Sequence, residues 1–195
     1  MSPLKEEHFE QIRTKRIKQI KKASVKIFAM YGFDGAKMNL IAEEAGVSQG
    51  LFYRYFESKD ELFILLVKEL LELASGQLQV IHQLPGTPYE QIKALTEQML
   101  DESSKYPFMF IQQVRTMKRA PDEVKELIEK HSPNALVDLL IPIFMKGQEM
   151  GEFRKGNPRQ LLSWYLHIVN SLIISDHSYQ EYGLPDVDIL MRILK

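Results

Sequence analysis

Apolar residues recur every three or four positions along nearly the whole chain, which is the period of an amphipathic helix. In the first such segment Ile17, Ile20, Ile27 and Phe28 share one face of a helix that begins near residue 10 and that Gly32 ends. No segment alternates as a strand does. We therefore predict an all-α protein of about nine or ten helices. Two of the later helices begin at Pro121 and Pro133, and the second of these ends near Gly147. The others lie at about 39–45, 48–55, 59–75, 88–104, 107–117, 159–176 and 186–194.

Capping signals mark several of these boundaries. Ser58 and Glu61 have the spacing of a capping box, in which each side chain accepts a hydrogen bond from the other residue's backbone amide. Thr87-Pro88 and Asn157-Pro158 each place a capping side chain before a proline suited to the first helical position. The helix after Ser58 should face inward with five apolar residues, namely Leu62, Phe63, Leu66, Leu70 and Leu73.

Residues 39–55 have the pattern of a helix-turn-helix. Two short helices are joined by Ala45-Gly46-Val47-Ser48, in which Gly46 can adopt the left-handed turn conformation, Val47 fills the angle and Ser48 caps the second helix. Three exposed side chains of that second helix can form hydrogen bonds with bases or phosphates, namely Gln49, Tyr53 and Arg54. Gly50, also exposed, allows the helix backbone to approach DNA closely. Many packed helical corners share this pattern, so alone it leaves the function open.

The charge distribution is uneven although the net charge is only -1. Residues 1–60 hold 11 Lys/Arg and 8 Asp/Glu (+3), and the rest hold 14 and 18 (-4). From Gln11 to Phe33 there are seven basic residues and no acidic one. Such a segment indicates contact with a polyanion, and the alternative is a solvated basic helix face.

Composition narrows the class of protein. The 195 residues include no cysteine, so disulfides and thiolate metal sites are excluded. With no apparent signal peptide and no apolar run approaching membrane-spanning length, we expect a cytoplasmic protein. The five histidines lack metal-ligand spacing, and Ser175-Asp176-His177 are only adjacent in sequence, so we expect neither an enzyme nor a metal or cofactor. A helical protein-interaction module without DNA binding is the remaining alternative.

The same stretch resembles a known family. The residues that carry the resemblance are Ala23, Ile27-Phe28, Tyr31-Gly32-Phe33, Ile41–Gly50, Phe52–Phe56 and Ser58–Leu62. At these spacings, and without gaps over roughly 15–65, the chain resembles the N-terminal domain of the TetR family of transcriptional regulators. The resemblance implies a homodimer with a DNA-binding domain at 1–57 and a helical ligand-binding and dimerisation domain at 58–195. It further implies a repressor released from operator DNA by a small ligand, with activation left open.

The resemblance also implies roles for individual residues. Tyr53, Tyr55 and Lys59 would contact phosphates, while Gln49, Gly50 and Arg54 would face the major groove. In this fold the N-terminal part of the first helix lies near the DNA backbone. Its candidates for phosphate neutralisation are Lys15, Lys18 and Lys22.

One position departs from the family pattern. The family usually has Thr followed by Ser or Thr where this chain has Ala36-Lys37. Lys37 can replace a hydroxyl contact to phosphate with a charge contact, which reaches further and is less directional. The helix cap should be lost unless Asn39 supplies it in a shifted register.

Residues 161–174 are apolar on nearly all sides, so this helix should be buried all round. We predict that it forms an intersubunit bundle with the last helix, and the alternative is a central core helix. The predicted dimer interface comprises Leu161, Tyr165, Ile168, Leu172, Ile189 and Ile193.

Large, soft and aromatic residues in the C-terminal two thirds suit an adaptable apolar pocket with a few polar groups for orientation. The effector should accordingly be hydrophobic, and both a cationic and a planar molecule stay open. Ordinary core packing is the alternative for each of these residues, above all for His167. The predicted ligand-binding residues are Met99, Phe110, Gln113, Met117, Phe144, Trp164, His167 and Asn170.

Overall fold

The computed structural model describes residues 3–79, 81, 84–132, 134–174 and 183–195. These residues form ten α-helices and no strand, which confirms the all-α prediction. No described helix is both long and apolar enough to cross a membrane. The helices are α1 (Pro3–Gly35), α2 (Met38–Glu44), α3 (Gln49–Tyr53), α4 (Lys59–Gln79), α5 (Pro88–Leu100), α6 (Glu102–Thr116), α7 (Asp122–Lys130), α8 (Ala135–Glu149), α9 (Pro158–Ile174) and α10 (Val187–Met191).

Helix α1 is longer than predicted at both ends. It begins at Pro3, because residues 4–11 contain mostly good helix formers. Gly32 does not end it but kinks it, with φ 67° and ψ 177°, and a last turn continues to Gly35. A left-handed φ of this kind is accessible to glycine at little cost, so the residue that was expected to stop the helix bends it.

Side-chain caps mark the start of several other helices. Thr87 and Glu90 form a capping box at the start of α5, and Asn157 Oδ1 accepts a hydrogen bond from the Gln160 amide at the start of α9. The Ser58 cap is present, but Glu61 accepts its hydrogen bond from the Glu57 amide instead of the Ser58 amide, so the predicted box is shifted by one residue.

The predicted division between the fifth and sixth helices is wrong. Helix α5 ends at Leu100, and Asp101, whose carboxylate accepts a hydrogen bond from the Ser103 amide (2.9 Å), starts α6. Pro107 consequently lies inside α6 and does not open a helix. Pro121 directly precedes α7, as predicted, whereas Pro133 lies outside the described residues.

The described helices pack around two hydrophobic cores. The first joins α1–α4 with α6 and α7, and its centre is aromatic: the Phe28 ring centroid lies 5.1 Å from that of Phe63 and 5.7 Å from that of Phe110. Helix α4 turns Val67 and Leu71 into this core, whereas Leu73, which was predicted to face inward, is exposed. Helices α6 and α7 thus pack with the N-terminal helices, and the division at 57/58 stays a prediction.

The second core joins α5, α8, α9 and α10. At its centre the Tyr165 hydroxyl lies 2.8 Å from Thr96 Oγ1 and 3.2 Å from Met191 Sδ, which links three helices. Burial raises the pKa of Tyr165, since the phenolate would lose hydration there.

Helix α9 is therefore not buried all round within the subunit. One face packs into the second core and the opposite face, with Trp164, His167 and Ile168, is exposed. Tyr165 and Leu172 lie on the buried face and contribute to the subunit's own core, so neither offers surface to a second subunit. The predicted interface is corrected accordingly.

Candidate nucleic-acid interface

The turn between α2 and α3 has the predicted conformation. Gly46 has φ 63°, the left-handed region that a glycine adopts readily. Its amide donates to the Glu43 carbonyl, and the Val47 amide donates to the Ala42 carbonyl, each at 3.0 Å. These two bonds pair the last carbonyls of α2 and fix the direction in which α3 leaves the turn.

Helix α3 presents a polar face on an apolar support. Ser48 Oγ caps it by accepting a hydrogen bond from the Leu51 amide at 3.1 Å. Phe52 is fully buried, and its ring packs 5.7 Å from that of Phe56 in the first core. With that side anchored, the residues predicted for the major groove and one predicted for a phosphate are exposed: Gln49, Gly50, Tyr53 and Arg54.

Gly50 is not required by packing within the subunit. A Cβ built at this position would meet no atom within 4 Å. A glycine inside a helix costs stability relative to alanine. Contacts within the subunit therefore do not explain why glycine occupies this exposed position of α3, and a contact with another molecule would. Close approach of the backbone to DNA is one such reason.

The basic residues of α1 divide into two groups. Lys21 pairs with Glu69 of α4 at 2.5 Å, and Lys26 pairs with Glu44 of α2 at 2.7 Å. The hydrogen bond to Glu44 raises the pKa of Lys26. These two lysines hold neighbouring helices together, while the three predicted for phosphates are exposed: Lys15, Lys18 and Lys22.

Lys37 is exposed and occupies the N-cap position of α2, where it makes no side-chain capping hydrogen bond. Asn39 lies inside the helix and does not cap it. The cap is therefore lost, as the departure from the family pattern predicted. What Lys37 adds at this helix end is an exposed positive charge.

Lys59 has a structural role that the sequence pattern did not reveal. Its Nζ donates to the carbonyl oxygens of Phe33 (2.8 Å) and Ala36 (3.3 Å), and lies 4.2 Å from the Phe33 ring centroid. The last carbonyls of a helix have no partners within it. The predicted end of α1 near Gly32 was therefore the one feature of the sequence that could have indicated a nearby donor such as Lys59. Tyr55 is half-buried against the first core, so it and Lys59 are less accessible than the α3 residues.

The predicted ligand-binding residues do not form one site. Phe110, Gln113 and Met117 line a cavity of about 240 Å³ beside α1. Met99 and Phe144 belong to the second core. On α9, Trp164 and His167 are exposed and Asn170 is half-buried. Within the described ranges no group of His, Asp and Glu side chains could hold a metal ion.

The geometry of α1–α4 agrees with a match to known proteins. Residues 20–66 match the family model of bacterial regulatory proteins, tetR family. Over this segment the chain is similar to the TetR family. The match spans α2, α3, the C-terminal part of α1 and the first turns of α4, and it includes the turn at Gly46.

Two curated relatives of this chain are transcriptional regulators by name. It is 32% identical over 90 residues to the HTH-type transcriptional regulator RutR of Escherichia coli, which is 46% of this chain and 42% of RutR. It is 26% identical over 187 residues to the uncharacterized HTH-type transcriptional regulator YfiR of Bacillus subtilis, covering 94% of this chain and 90% of YfiR. The match to RutR thus spans less than half of that protein.

A solved structure shows the same fold beyond the matched segment. The transcriptional regulator FadR of Bacillus subtilis, in complex with stearoyl-CoA, superposes with a TM-score of 0.55 over 91% of this chain and 95% of FadR. The identity is 20%. The N-terminal helix-turn-helix followed by a larger helical region is therefore a shared architecture.

Proposed function

We propose that this protein is a homodimeric, sequence-specific DNA-binding transcriptional regulator that acts in the cytoplasm. The observation that carries the proposal is the exposed polar face of α3, with Gln49, Tyr53 and Arg54 held outward by the buried Phe52. A short helix of this kind, presented by a capped turn, suits the major groove.

The side chains of this face divide by chemistry. Gln49 and Arg54 carry groups that can form paired hydrogen bonds with adenine or guanine edges, so they would select sequence. Tyr53, Lys37 and the exposed lysines of α1 can contact phosphates, so they would add affinity without selectivity. Affinity falls as the salt concentration rises, and each neutralised phosphate makes the slope of log affinity against log salt steeper by about 0.9.

A second subunit would dock on the exposed faces of α8 and α9. These helices pack against each other in the subunit, and their outer faces carry Met145 (48% exposed), Trp164 (57%), Ile168 (38%) and Ile174 (46%). Paired by a two-fold axis, two such faces form a four-helix bundle. Of the residues predicted for the interface from the sequence, Ile168 lies on these faces, while the buried Tyr165 and Leu172 give way to Trp164 and Met145. Ile189 of α10 is exposed, and Leu161 and Ile193 are half-buried, so these three stay predictions.

Ligand control is the third part of the proposal. The protein would act as a repressor, and a small hydrophobic effector would release it by lowering its affinity for operator DNA. The superposable FadR structure contains stearoyl-CoA, which supports the hydrophobic character of effectors in this architecture. In the absence of the effector, two α3 helices, one per subunit, would sit in successive major grooves about 34–36 Å apart.

The experiment that tests the proposal is selection of duplexes from a random-sequence pool by the purified full chain. We expect enrichment of a pseudo-palindrome, with submicromolar affinity in fluorescence anisotropy that falls steeply with salt. Arg54→Ala and Gln49→Ala should change the selected sequence, whereas Lys22→Ala should weaken binding to all duplexes equally. A pool that stays random, with no salt-dependent binding, would favour the protein-interaction module instead.

A further inference from the structure

A cavity of about 240 Å³ lies where α1, α4 and α6 meet. Its walls include Phe28 and Phe33 from α1, Phe63 from α4, Phe110 and Gln113 from α6, and Met117 directly after α6. An apolar cavity of about 150 Å³ is enough to bind benzene. This cavity can therefore hold one aromatic ring or two fused rings.

The aromatic rings in the walls form both stacked and edge-on pairs. The Phe28 and Phe110 rings are stacked at a centroid distance of 5.7 Å and an angle of 27°. The Phe63 ring lies edge-on to both, at 76° and 88°. A planar ligand can extend this pattern of stacked and edge-on contacts, which adds to the free energy gained by burying its surface.

Gln113 supplies one oriented polar group. Its Nε2 donates to the Ala29 carbonyl of α1 at 2.6 Å, which fixes the plane of the amide. The Oε1 atom then points toward Gly32, 3.4 Å from the place a Cβ would take there. Among the described residues no donor is bonded to Oε1, so it is available to accept a hydrogen bond from a ligand.

The lining of the cavity offers a ligand no buried charge. Asp34 is the one charged residue of the lining, and it is exposed, so solvent screens its carboxylate. A charged ligand would therefore lose hydration in the cavity without gaining a buried partner of opposite charge. This favours an uncharged ligand.

We propose that this cavity binds an uncharged, planar aromatic ligand of about ten non-hydrogen atoms that donates one hydrogen bond to Gln113 Oε1. The site itself stands on the geometry of the cavity, and its role as the effector site rests on the proposed function. A ligand here contacts both α1, which carries the exposed lysines, and α6. Its binding is therefore coupled to how α1 packs on α6, and through α1 to DNA affinity.

Indole is a suitable probe, because it has nine ring atoms and one N–H donor. We would label the methionine methyl groups of the full chain with carbon-13 and follow them by NMR as indole is added. The Met117 signal, assigned with Met117→Leu, should shift in a saturable manner with a dissociation constant below about 1 mM. The exposed Met145 and Met150 should not follow it.

Benzofuran is the matched control, since it has the same shape and no N–H donor. It should bind at least about fivefold more weakly than indole, which is the effect expected of one hydrogen bond. In Gln113→Leu the two compounds should bind equally. If that variant does not fold, the comparison of the two compounds in the unmodified chain remains decisive.

The proposed site is overturned if indole leaves the Met117 signal unmoved up to its solubility, or if benzofuran binds as tightly. These measurements use the protein without DNA, so a failure of DNA binding does not affect them. With a selected operator, saturating indole should change the dissociation constant for DNA at least fivefold. An unchanged constant while Met117 is saturated would overturn the effector role and leave the regulator function intact.

Discussion

The ammonium group of Lys59, in the first turn of α4, donates a 2.8 Å hydrogen bond to the backbone carbonyl oxygen of Phe33 near the end of α1. A second bond to the Ala36 carbonyl engages another of its three N–H groups. One N–H direction is left for a phosphate. Lys59 therefore joins the helix that follows the helix-turn-helix to the helix that precedes it.

Replacing Lys59 with methionine should lower both stability and DNA affinity. The variant keeps the apolar stem over Phe33 but leaves two half-buried carbonyls without their donor, which should cost about 1–3 kcal/mol of unfolding free energy. Urea unfolding measures that cost, and anisotropy with the selected operator measures the affinity. Lys22→Met is the control, because Lys22 is exposed and should affect only DNA binding. Unchanged stability in Lys59→Met would contradict the structural role.

Substitutions of Lys37 separate the effect of capping α2 on stability from the effect of the lysine charge on DNA binding. Lys37→Ser should gain a capping hydrogen bond to the amides of α2 and raise the unfolding free energy by about 1 kcal/mol. Lys37→Ala should gain nothing, because alanine cannot cap. Both variants should reduce the salt slope of DNA binding by about one unit per subunit. If serine and alanine are equally stable in thermal unfolding, then α2 does not begin where the structure places it.

Gly50 can be tested without disturbing the fold. Gly50→Ala adds a Cβ that meets no atom within 4 Å and should raise stability by about 0.5–1 kcal/mol. Operator affinity should fall at least tenfold if the backbone of α3 approaches DNA at this position. Gly46→Ala is the contrasting variant, since the left-handed φ of 63° strains any other residue, and it should destabilise the protein. Unaltered DNA binding by a stable Gly50→Ala would show that this glycine does not approach DNA.

Local signals accounted for most of the fold. Gly46, Ser48 and Thr87 act through hydrogen bonds to residues within a few positions, so their roles could be inferred from the sequence. The exposed polar face of α3 could be inferred as well, because helical spacing places Phe52 on the opposite side, where it is buried.

Contacts between distant residues could not be inferred in this way. Lys21 pairs with Glu69, and Gln113 reaches Ala29, 84 positions away. The error on α9 has the same origin. Its apolar residues suggested burial on all sides, but only packing against α5, α8 and α10 decides which of them, such as Tyr165, belong to the subunit's own core.

The correction on α9 leads to the prediction that separates dimerisation from folding. Trp164→Glu places a charge on the exposed face of α9 and should leave the subunit folded, while it weakens the dimer at least about thirtyfold, as expected for a central aromatic residue of an interface. Sedimentation velocity should then show monomers at concentrations where the unmodified chain is dimeric. Leu172→Asp should instead unfold the protein, because Leu172 lies in the second core.

Trp164 is the sole tryptophan of the chain, so its fluorescence emission in the unmodified protein provides an independent measure of dimerisation. Dilution that dissociates the dimer should shift this emission to longer wavelength, and an emission maximum that is independent of concentration through the dissociation would place the interface elsewhere.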